Sequence, residues 1–384
     1  MKKVFIETPE QLTEFCQHIE SSPWLAIDTE FIREKSYYAK LCLIQVANDH
    51  IAACIDPLIL QDLSPLFTIL YNTNTLKIFH SCHQDLEIFC DMNNAVPSPV
   101  FDTQIAGALV GMSNQESYAA FVKKFLGITL DKSQTRTDWE HRPLTQKQLD
   151  YAYADVTHLG KVYQILLDKL QSTHRLGWLK DDFLALEKVD HYQKQPETLW
   201  QKVKGYKHLK GVQLSVLKSL TSWRETQAQS KNIPRRWVLS DEVLLDTARH
   251  MPSALKNLSR IRGFNKKSIE KEGKTILNLI STAQQTPRED WPIVNNNYTK
   301  LTPNQEALVD VLMAVVRLKA TENNVSVASL AKRKELELVA VGEQPKEFLS
   351  GWKKSILGDD LFATINGEST ISIQNGQLKI KTKS

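Results

Sequence analysis

Three short apolar segments follow one another closely in the first sixty residues of this 384-residue chain, and their spacing limits the folds that it can adopt. They read WLAIDTEF at 24–31, LCLIQVA at 41–47 and IAACID at 51–56. Their composition is typical of buried strands, and the short connections favour an antiparallel meander. Strand–helix units follow, such as LKIFHS before QDLEIFCDM. Residues 1–170 therefore predict an α/β fold, with a mixed sheet covered by helices.

Helical patterns dominate the rest of the chain. PLILQDLSPLFTIL at 57–70 predicts a helix, and residues 145–170 predict one long amphipathic helix that starts near Thr145. The polar, lysine-rich residues 190–209 indicate a linker. After residue 210 the pattern is almost wholly helical until the tail ISIQNGQLKIKT, where Asn375-Gly376 is the turn signal of a β-hairpin.

The two halves of the chain carry opposite charge. Residues 1–200 hold 18 Lys and Arg against 26 Asp and Glu, whereas residues 201–300 hold 19 against 8. The basic segment is either an electrostatic footprint for nucleic acid or the solvated surface of helices.

The remaining composition indicates a cytoplasmic protein. No apolar run reaches the length of a transmembrane helix, and the N-terminus lacks the apolar core of a secretory signal, so no membrane partner is expected. The five cysteines include no C-x-x-C pair. An odd number without that spacing predicts reduced thiols rather than disulfides or a zinc site.

Two carboxylates, Asp28 and Glu30, end the first of the three apolar segments. Residues two apart on a strand share a face, so these side chains are expected to point the same way. Two neighbouring carboxylates repel each other, and burial without a partner is costly. The strand end is therefore solvated, paired with Lys or Arg, or bound to a cation.

Further acids occur at matching structural positions. Asp85 lies where a helix begins after a strand, a place where Asp also serves simply to stabilise the helix N-terminus. Tyr151 and Asp155 are four residues apart in a helical segment and so share a face. Taken alone, Asp85 is compatible with an ordinary helix-capping role, and Tyr151 and Asp155 are compatible with an ordinary place on the protein surface.

Together these residues form a set of oxygen ligands that suits Mg²⁺ or Mn²⁺ rather than zinc. Several carboxylates around two such ions are the arrangement that cleaves phosphodiesters. The Tyr151 hydroxyl can orient the attacking water.

The order Asp-x-Glu, Asp, Tyr-x-x-x-Asp, carried by IDTEF, FHSCHQDL and LDYAYADV, resembles the tyrosine-bearing branch of the DEDD exonuclease superfamily. This resemblance implies a ribonuclease H-like fold and removal of nucleotides from 3′ ends. It also implies that Asp28, Glu30 and Asp155 hold one divalent ion, and that Asp28 bridges to a second ion supported by Asp85. Tyr151 would then position the water, although Tyr153 competes with it by composition alone.

The basic part of the chain resembles the helicase-and-ribonuclease-D C-terminal domain, most clearly in WRETQAQSKNIPRRWVLSDEVLLDTA. A second, more divergent copy follows, so the whole arrangement resembles the ribonuclease D family. The implied domains are an exonuclease domain at 1–170, an extension and linker at 171–209, and helical domains at 210–289 and 290–384.

The resemblance implies a monomeric enzyme that trims RNA 3′ ends, notably those of precursor tRNA. Residues expected to contact RNA are Arg235, Arg236, Trp237, Lys266 and Lys267. Two alternatives stay open. One is a 3′–5′ exonuclease on single-stranded DNA, because the catalytic motifs do not distinguish the two nucleic acids. The other is a catalytically inactive nucleic-acid-binding protein, which the presence of all four acids and Tyr151 disfavours.

Overall fold

A computed structural model describes residues 1–131, 133–135, 137–193, 195–294 and 301–382. Within it the chain forms two compact units. The sheet unit comprises Met1–Glu30, Cys42–Lys188 and Tyr298–Ser384, and the helical unit comprises Phe31–Leu41 and Val189–Asn297.

The strands and helices follow one another as the composition predicts, with strands first and helices later. The strands are β1 (Lys2–Ile6), β2 (Trp24–Ile32), β3 (Lys40–Ala47), β4 (Ile51–Ile55), β5 (Leu76–Phe79), β6 (Val100–Asp102), β7 (Ser369–Gln374) and β8 (Gln377–Thr382). The α-helices are α1 (Pro9–Ile19), α2 (Ser64–Leu70), α3 (His83–Asn93), α4 (Thr103–Ala108), α5 (Tyr118–Leu126), α6 (Gln146–Thr157), α7 (Leu159–Ser172), α8 (Lys180–Leu186), α9 (Val212–Ser230), α10 (Arg235–Val238), α11 (Asp241–His250), α12 (Leu255–Leu258), α13 (Lys266–Gln284), α14 (Pro303–Glu322), α15 (Val327–Leu330), α16 (Arg333–Ala340), α17 (Gly351–Lys353) and α18 (Asp359–Ile365). Short 3₁₀ turns span Leu176–Leu179, Val189–His191, Pro196–Lys202, Tyr206–His208, Arg288–Asp290 and Lys346–Phe348, and a π turn spans Lys354–Gly358.

The first six strands form one mixed sheet in the order β1-β4-β3-β2-β5-β6. β4 is parallel to β1 and antiparallel to β3, whereas β5 is parallel to both β2 and β6. The predicted mixed sheet is therefore confirmed. β2 is an interior strand, and its residues Leu25, Ala26 and Ile27 are fully buried before the first acid, Asp28.

Two predicted helices differ from the observed ones. The helix predicted over 57–70 begins only at Ser64, whose backbone amide donates to Asp62 Oδ1 over 2.8 Å. The long helix predicted over 145–170 is divided at His158 into α6 and α7. Just beyond the break, a Cβ on Gly160 would lie 2.3 Å from the Trp24 ring. The contact between Gly160 and Trp24 joins segments far apart in the sequence, so the periodicity of apolar residues within the helix does not reveal it.

Lys77 on β5 is a fully buried lysine, and it connects the sheet to two loops. Its ammonium donates to the backbone carbonyls of Asn72 (2.8 Å), Thr75 (2.6 Å) and Ser98. Burial lowers the pKa of Lys77 to about 8. The three carbonyls accept from a single ammonium group, which therefore holds the loop before β5 and the loop before β6 together.

The Lys77→Met substitution is expected to lower the free energy of unfolding by about 2 kcal/mol, because methionine fills similar volume but cannot donate to the three carbonyls, of which that of Thr75 belongs to a buried residue. Thermal unfolding of the full chain measures this effect. Lys123→Met on the exposed face of α5 is the matched control and should change stability little. An unchanged or raised melting temperature for Lys77→Met would contradict the assignment.

The helical unit has its own core, built mainly from α9, α11 and α13. The apolar residues Leu199, Trp200, Val203 and Leu209 are buried, and Trp200, Val203 and Leu209 belong to this core. Their segment, 190–209, has the composition of a linker, yet its apolar side chains are spaced to pack against the helices. The domain boundaries themselves stay a prediction.

Residues 301–382 form a third part of the sequence but lie in the sheet unit. α14 begins with a capping box between Thr302 and Gln305. The Ser326 backbone amide donates to the Ala108 carbonyl over 2.7 Å, and the rings of Trp178 and Trp352 stack 5.1 Å apart. The predicted hairpin is confirmed by the antiparallel pair β7–β8.

All five cysteines are buried free thiols. Among the described residues, no helix combines the length and the apolar character needed to cross a membrane.

Candidate active site

The site forms where β2, α3 and α6 carry acidic side chains. One carboxylate oxygen each of Asp28, Glu30 and Asp155 lies within 4.8 Å of the other two. Asp28 and Glu30 project from alternate positions of β2, as the strand period requires, and Asp155 comes from α6. All three residues are partly exposed and partly buried.

Asp85 lies in the first turn of α3 and is buried beside this cluster. The Thr29 hydroxyl donates to Asp85 Oδ1 and so ties α3 to the strand that holds the other two acids. Asp85 does not belong to the group of three within 4.8 Å, but its charge acts on both Asp28 and Glu30. The structure thus brings the four predicted acids into one electrostatically coupled region.

The carboxylates oppose one another's ionisation. Burial, followed by repulsion from Asp155 and Asp85, raises the pKa of Glu30 to about 9, and the same causes raise the pKa of Asp28 well above its usual range. Burial raises the pKa of both Asp85 and Asp155 to about 7. Hydrogen bonds from Thr29 to Asp85 and from Tyr151 to Asp155 act in the opposite direction.

Among the described residues, no Lys or Arg forms an ion pair with Asp28, Glu30 or Asp155. Of the three possibilities for the end of β2, pairing with a basic side chain is therefore excluded within the described part. Carboxylate oxygens close together, partly exposed and without a cationic side chain are a donor set that suits a hard divalent cation.

Tyr151 lies one turn before Asp155 on α6, and its ring centroid is 6.0 Å from that of the buried Trp139. Burial and repulsion from Asp155 raise the pKa of Tyr151 above its ordinary value, so the hydroxyl stays protonated at neutral pH. Tyr153, the competing tyrosine, hydrogen-bonds Cys54 instead. The contacts therefore place Tyr151, and not Tyr153, at the acids.

The segment before α6 packs on the sheet. Arg142 Nε lies 2.5 Å from Asp56 Oδ2, and Nη2 donates to the Cys42 carbonyl over 2.7 Å. Nη1 donates to the Trp139 carbonyl over 2.8 Å. These bonds fix Trp139, and through its ring Tyr151, relative to β3.

Two further residues support the site and were missed in the sequence. Asp102, the N-cap of α4, accepts from the backbone amides of Ser81 (3.1 Å) and Cys82 (2.8 Å), where Ser81 has a positive φ of 63°. It thereby holds the turn that begins α3 and presents Asp85. Tyr118 donates to the Ala154 carbonyl over 3.1 Å. An acid at the end of β6, directly before a helix, was the available signal for Asp102, whereas nothing in the sequence marks Tyr118.

The residues expected to contact RNA lie in the helical unit. Arg235, Arg236 and Trp237 lie together on α10, and Lys266 and Lys267 begin α13. Arg235 is held by Glu225, with Nη2 to Oε1 at 2.6 Å. A role of these five residues in binding RNA stays a prediction.

Comparison with known proteins gives the family. A family model described as 3′–5′ exonuclease matches residues 4–171, and one described as HRDC domain matches residues 213–280. The chain is 34% identical over 380 residues to ribonuclease D of Granulibacter bethesdensis, covering 98% of this chain and 96% of that protein. It is 37% identical over 371 residues to ribonuclease D of Zymomonas mobilis, covering 96% and 95%.

A solved structure agrees in fold over nearly the whole chain. The crystal structure of Escherichia coli RNase D, described as an exoribonuclease involved in structured RNA processing, superposes with a TM-score of 0.81 at 30% identity. The match covers 96% of this chain and 99% of that one. The expectation drawn from the three acidic motifs and the basic helical segment is confirmed: the chain belongs to the ribonuclease D family of 3′–5′ exoribonucleases.

Proposed function

We propose that this protein removes nucleoside 5′-monophosphates one at a time from RNA 3′ ends by two-metal hydrolysis. The observation that carries the proposal is the cluster of Asp28, Glu30 and Asp155, whose ligand atoms lie within 4.8 Å of one another with no basic side chain paired to them among the described residues. Burial raises the pKa of all three acids, and repulsion from neighbouring carboxylates adds to this for Asp28 and Glu30.

The donor set fits Mg²⁺ or Mn²⁺. Asp28, Glu30 and Asp155 would hold one ion, and Asp28 with Asp85 would hold a second. When bound, such ions lower the pKa of a water and neutralise charge that develops on the leaving oxygen.

The protein's own groups orient the reaction. Tyr151 keeps its proton at neutral pH and can hold the attacking water by a hydrogen bond next to Asp155. The water gives up one proton to solvent, and its oxygen forms a bond to phosphorus as the bond from phosphorus to the 3′ oxygen of the preceding nucleotide breaks. That 3′ oxygen takes up a proton, and the products are a nucleoside 5′-monophosphate and an RNA shortened by one residue with a free 3′-hydroxyl.

Structured RNA with a single-stranded 3′ extension, in particular precursor tRNA, is the proposed substrate. The E. coli relative is described as acting in structured RNA processing. The excess of basic over acidic residues at 201–300 supplies the charge for a folded RNA body. The HRDC model matches inside the same segment.

The test uses 5′-labelled substrates: a tRNA body with a 3′ extension, the extension alone, and a DNA copy of the extension. Each is incubated with Mg²⁺, Mn²⁺ or chelator. The expected result is a ladder of RNAs shortened from the 3′ end, dependent on metal and stopping near the tRNA body. Equal shortening of the DNA would move the function to a DNA exonuclease, and absence of any product would leave a binding protein.

A further inference from the structure

A polar pocket of about 570 Å³ lies wholly within the helical unit. It is bounded by the loop between β2 and β3, by residues 199–203 and by α9 and α10. Five cationic side chains line it against three anionic ones, so its lining has a positive excess. The cationic residues are Arg33, Lys202, Arg224, Arg235 and Arg236, and the anionic residues are Glu34, Glu225 and Asp241.

Internal contacts already engage two of the three acids. Glu225 is 1% exposed and accepts from Arg235 Nη2 over 2.6 Å and from the Tyr37 hydroxyl. Arg224 Nη1 donates to Asp241 Oδ1 over 2.7 Å. These bonds fix the walls of the pocket before any ligand enters, and they leave the positive excess in place.

One buried cation in the wall has a donor without an acceptor. Arg224 is 6% exposed, and its Nε has no hydrogen-bond partner among the described residues, although Nη1 has two. A buried guanidinium N–H without an acceptor is unfavourable. The charge of Arg224 nevertheless adds to the positive potential inside the pocket, which favours an anionic group such as a phosphate there.

An aromatic surface stands at the same pocket. The Trp237 side chain is 61% exposed, which is unusual for so large an apolar group, and Lys202 and Arg236 beside the pocket are exposed as well. Exposed tryptophan next to arginine is the combination with which proteins hold unpaired nucleotides, because the ring stacks on a base and the cations contact phosphate.

We propose that this pocket, which we call the helical-unit pocket, binds one unpaired nucleotide of the RNA substrate. Its phosphate contacts the exposed Arg236, and its base stacks on Trp237. The pocket is then a second RNA-binding site, separate in residues from the acidic cluster. This inference rests on the proposed function, because it assumes that RNA is the substrate. The experiment below distinguishes a failure of the inference from a failure of the proposed function.

Binding of a fluorescent single-stranded RNA to the full-length protein is measured in chelator, so that no hydrolysis occurs, over a series of salt concentrations. Trp237→Ala is expected to raise Kd about tenfold. Arg236→Glu is expected to raise Kd about tenfold and to reduce the magnitude of the salt slope by about one. Lys256→Glu, an equal charge change at an exposed position of α12 outside the pocket, is the matched control and should change Kd less than about twofold.

An unchanged Kd in both pocket variants would overturn the proposal that the helical-unit pocket binds RNA. Trimming of RNA by these variants at the wild-type rate would show that the proposed function still holds. An equal loss in Lys256→Glu would also overturn it, since binding would then follow overall charge. Conversely, the protein could bind RNA in a way that depends on Trp237 and yet show no nuclease activity. That result would support the RNA-binding pocket and reject the proposed function. Circular dichroism of each variant verifies that the helices are intact.

Discussion

Replacing Asp28 by asparagine is expected to reduce metal-dependent RNA hydrolysis by about 10³-fold or more, which corresponds to about 4 kcal/mol of activation free energy. Asp28 is a member of the three-carboxylate cluster, and its charge interacts with all three other acids. Asparagine preserves its size but removes the charge that a divalent ion requires. The measurement is the initial rate of 3′ shortening of labelled RNA at saturating Mg²⁺ or Mn²⁺.

The same substitution should not destabilise the metal-free protein. Burial and repulsion raise the pKa of Asp28, so at neutral pH its ionised form is less favourable in the folded state than in the unfolded state. The neutral amide removes this penalty, and the melting temperature in chelator should stay equal or rise. The increase in melting temperature on adding metal should shrink. Glu14→Gln on the exposed face of α1 is the control, and near-wild-type activity of Asp28→Asn would reject the metal assignment.

Replacing Tyr151 by phenylalanine is expected to lower kcat about 10²-fold and to leave KM within about threefold, as for a group that acts on the reacting water rather than on substrate affinity. Phenylalanine retains the ring contact with Trp139, at a centroid distance of 6.0 Å in the wild type, and removes only the hydroxyl next to Asp155. Single-turnover kinetics on the 3′-extended RNA separate the chemical step from product release.

Tyr153→Phe provides a matched control within the same helix. Its hydroxyl bonds Cys54 instead of an acid of the site, so its removal should change kcat less than about threefold. A larger loss in Tyr153→Phe than in Tyr151→Phe would reverse the assignment of the water-orienting tyrosine. Equal, small losses would show that neither hydroxyl takes part in the chemical step.

Local rules predicted much of the sheet and the acidic cluster. The two-residue strand period places Asp28 and Glu30 on one side of β2, and the four-residue helix period joins Tyr151 to Asp155. Both periods act within a single element, so they can be read in the sequence. The hairpin at Asn375-Gly376 is equally local, since both residues adopt positive φ values of 50° and 73°.

Features that depend on contacts between distant segments were not predicted. The bond from Thr29 to Asp85 joins residues 56 positions apart, and the packing of Trp200 against helices of the helical unit overrides a polar composition. The role of Asp102 depends on the same kind of contact. Each becomes visible only when the fold brings the segments together.

The sequence order of the sheet unit has a consequence for biosynthesis. Residues 301–382 pack with residues 42–188, as in the bond from Ser326 to Ala108 and the stack of Trp352 on Trp178, yet the ribosome makes roughly 110 other residues in between. At translation rates of about 5 to 20 residues per second, this interval lasts about 5 to 20 s. During it the nascent sheet unit presents surfaces that its last segment has not yet covered. We therefore expect folding yield in the cell to depend on protecting the unfinished unit for that interval, and a prematurely terminated chain to expose the same surfaces to proteolysis.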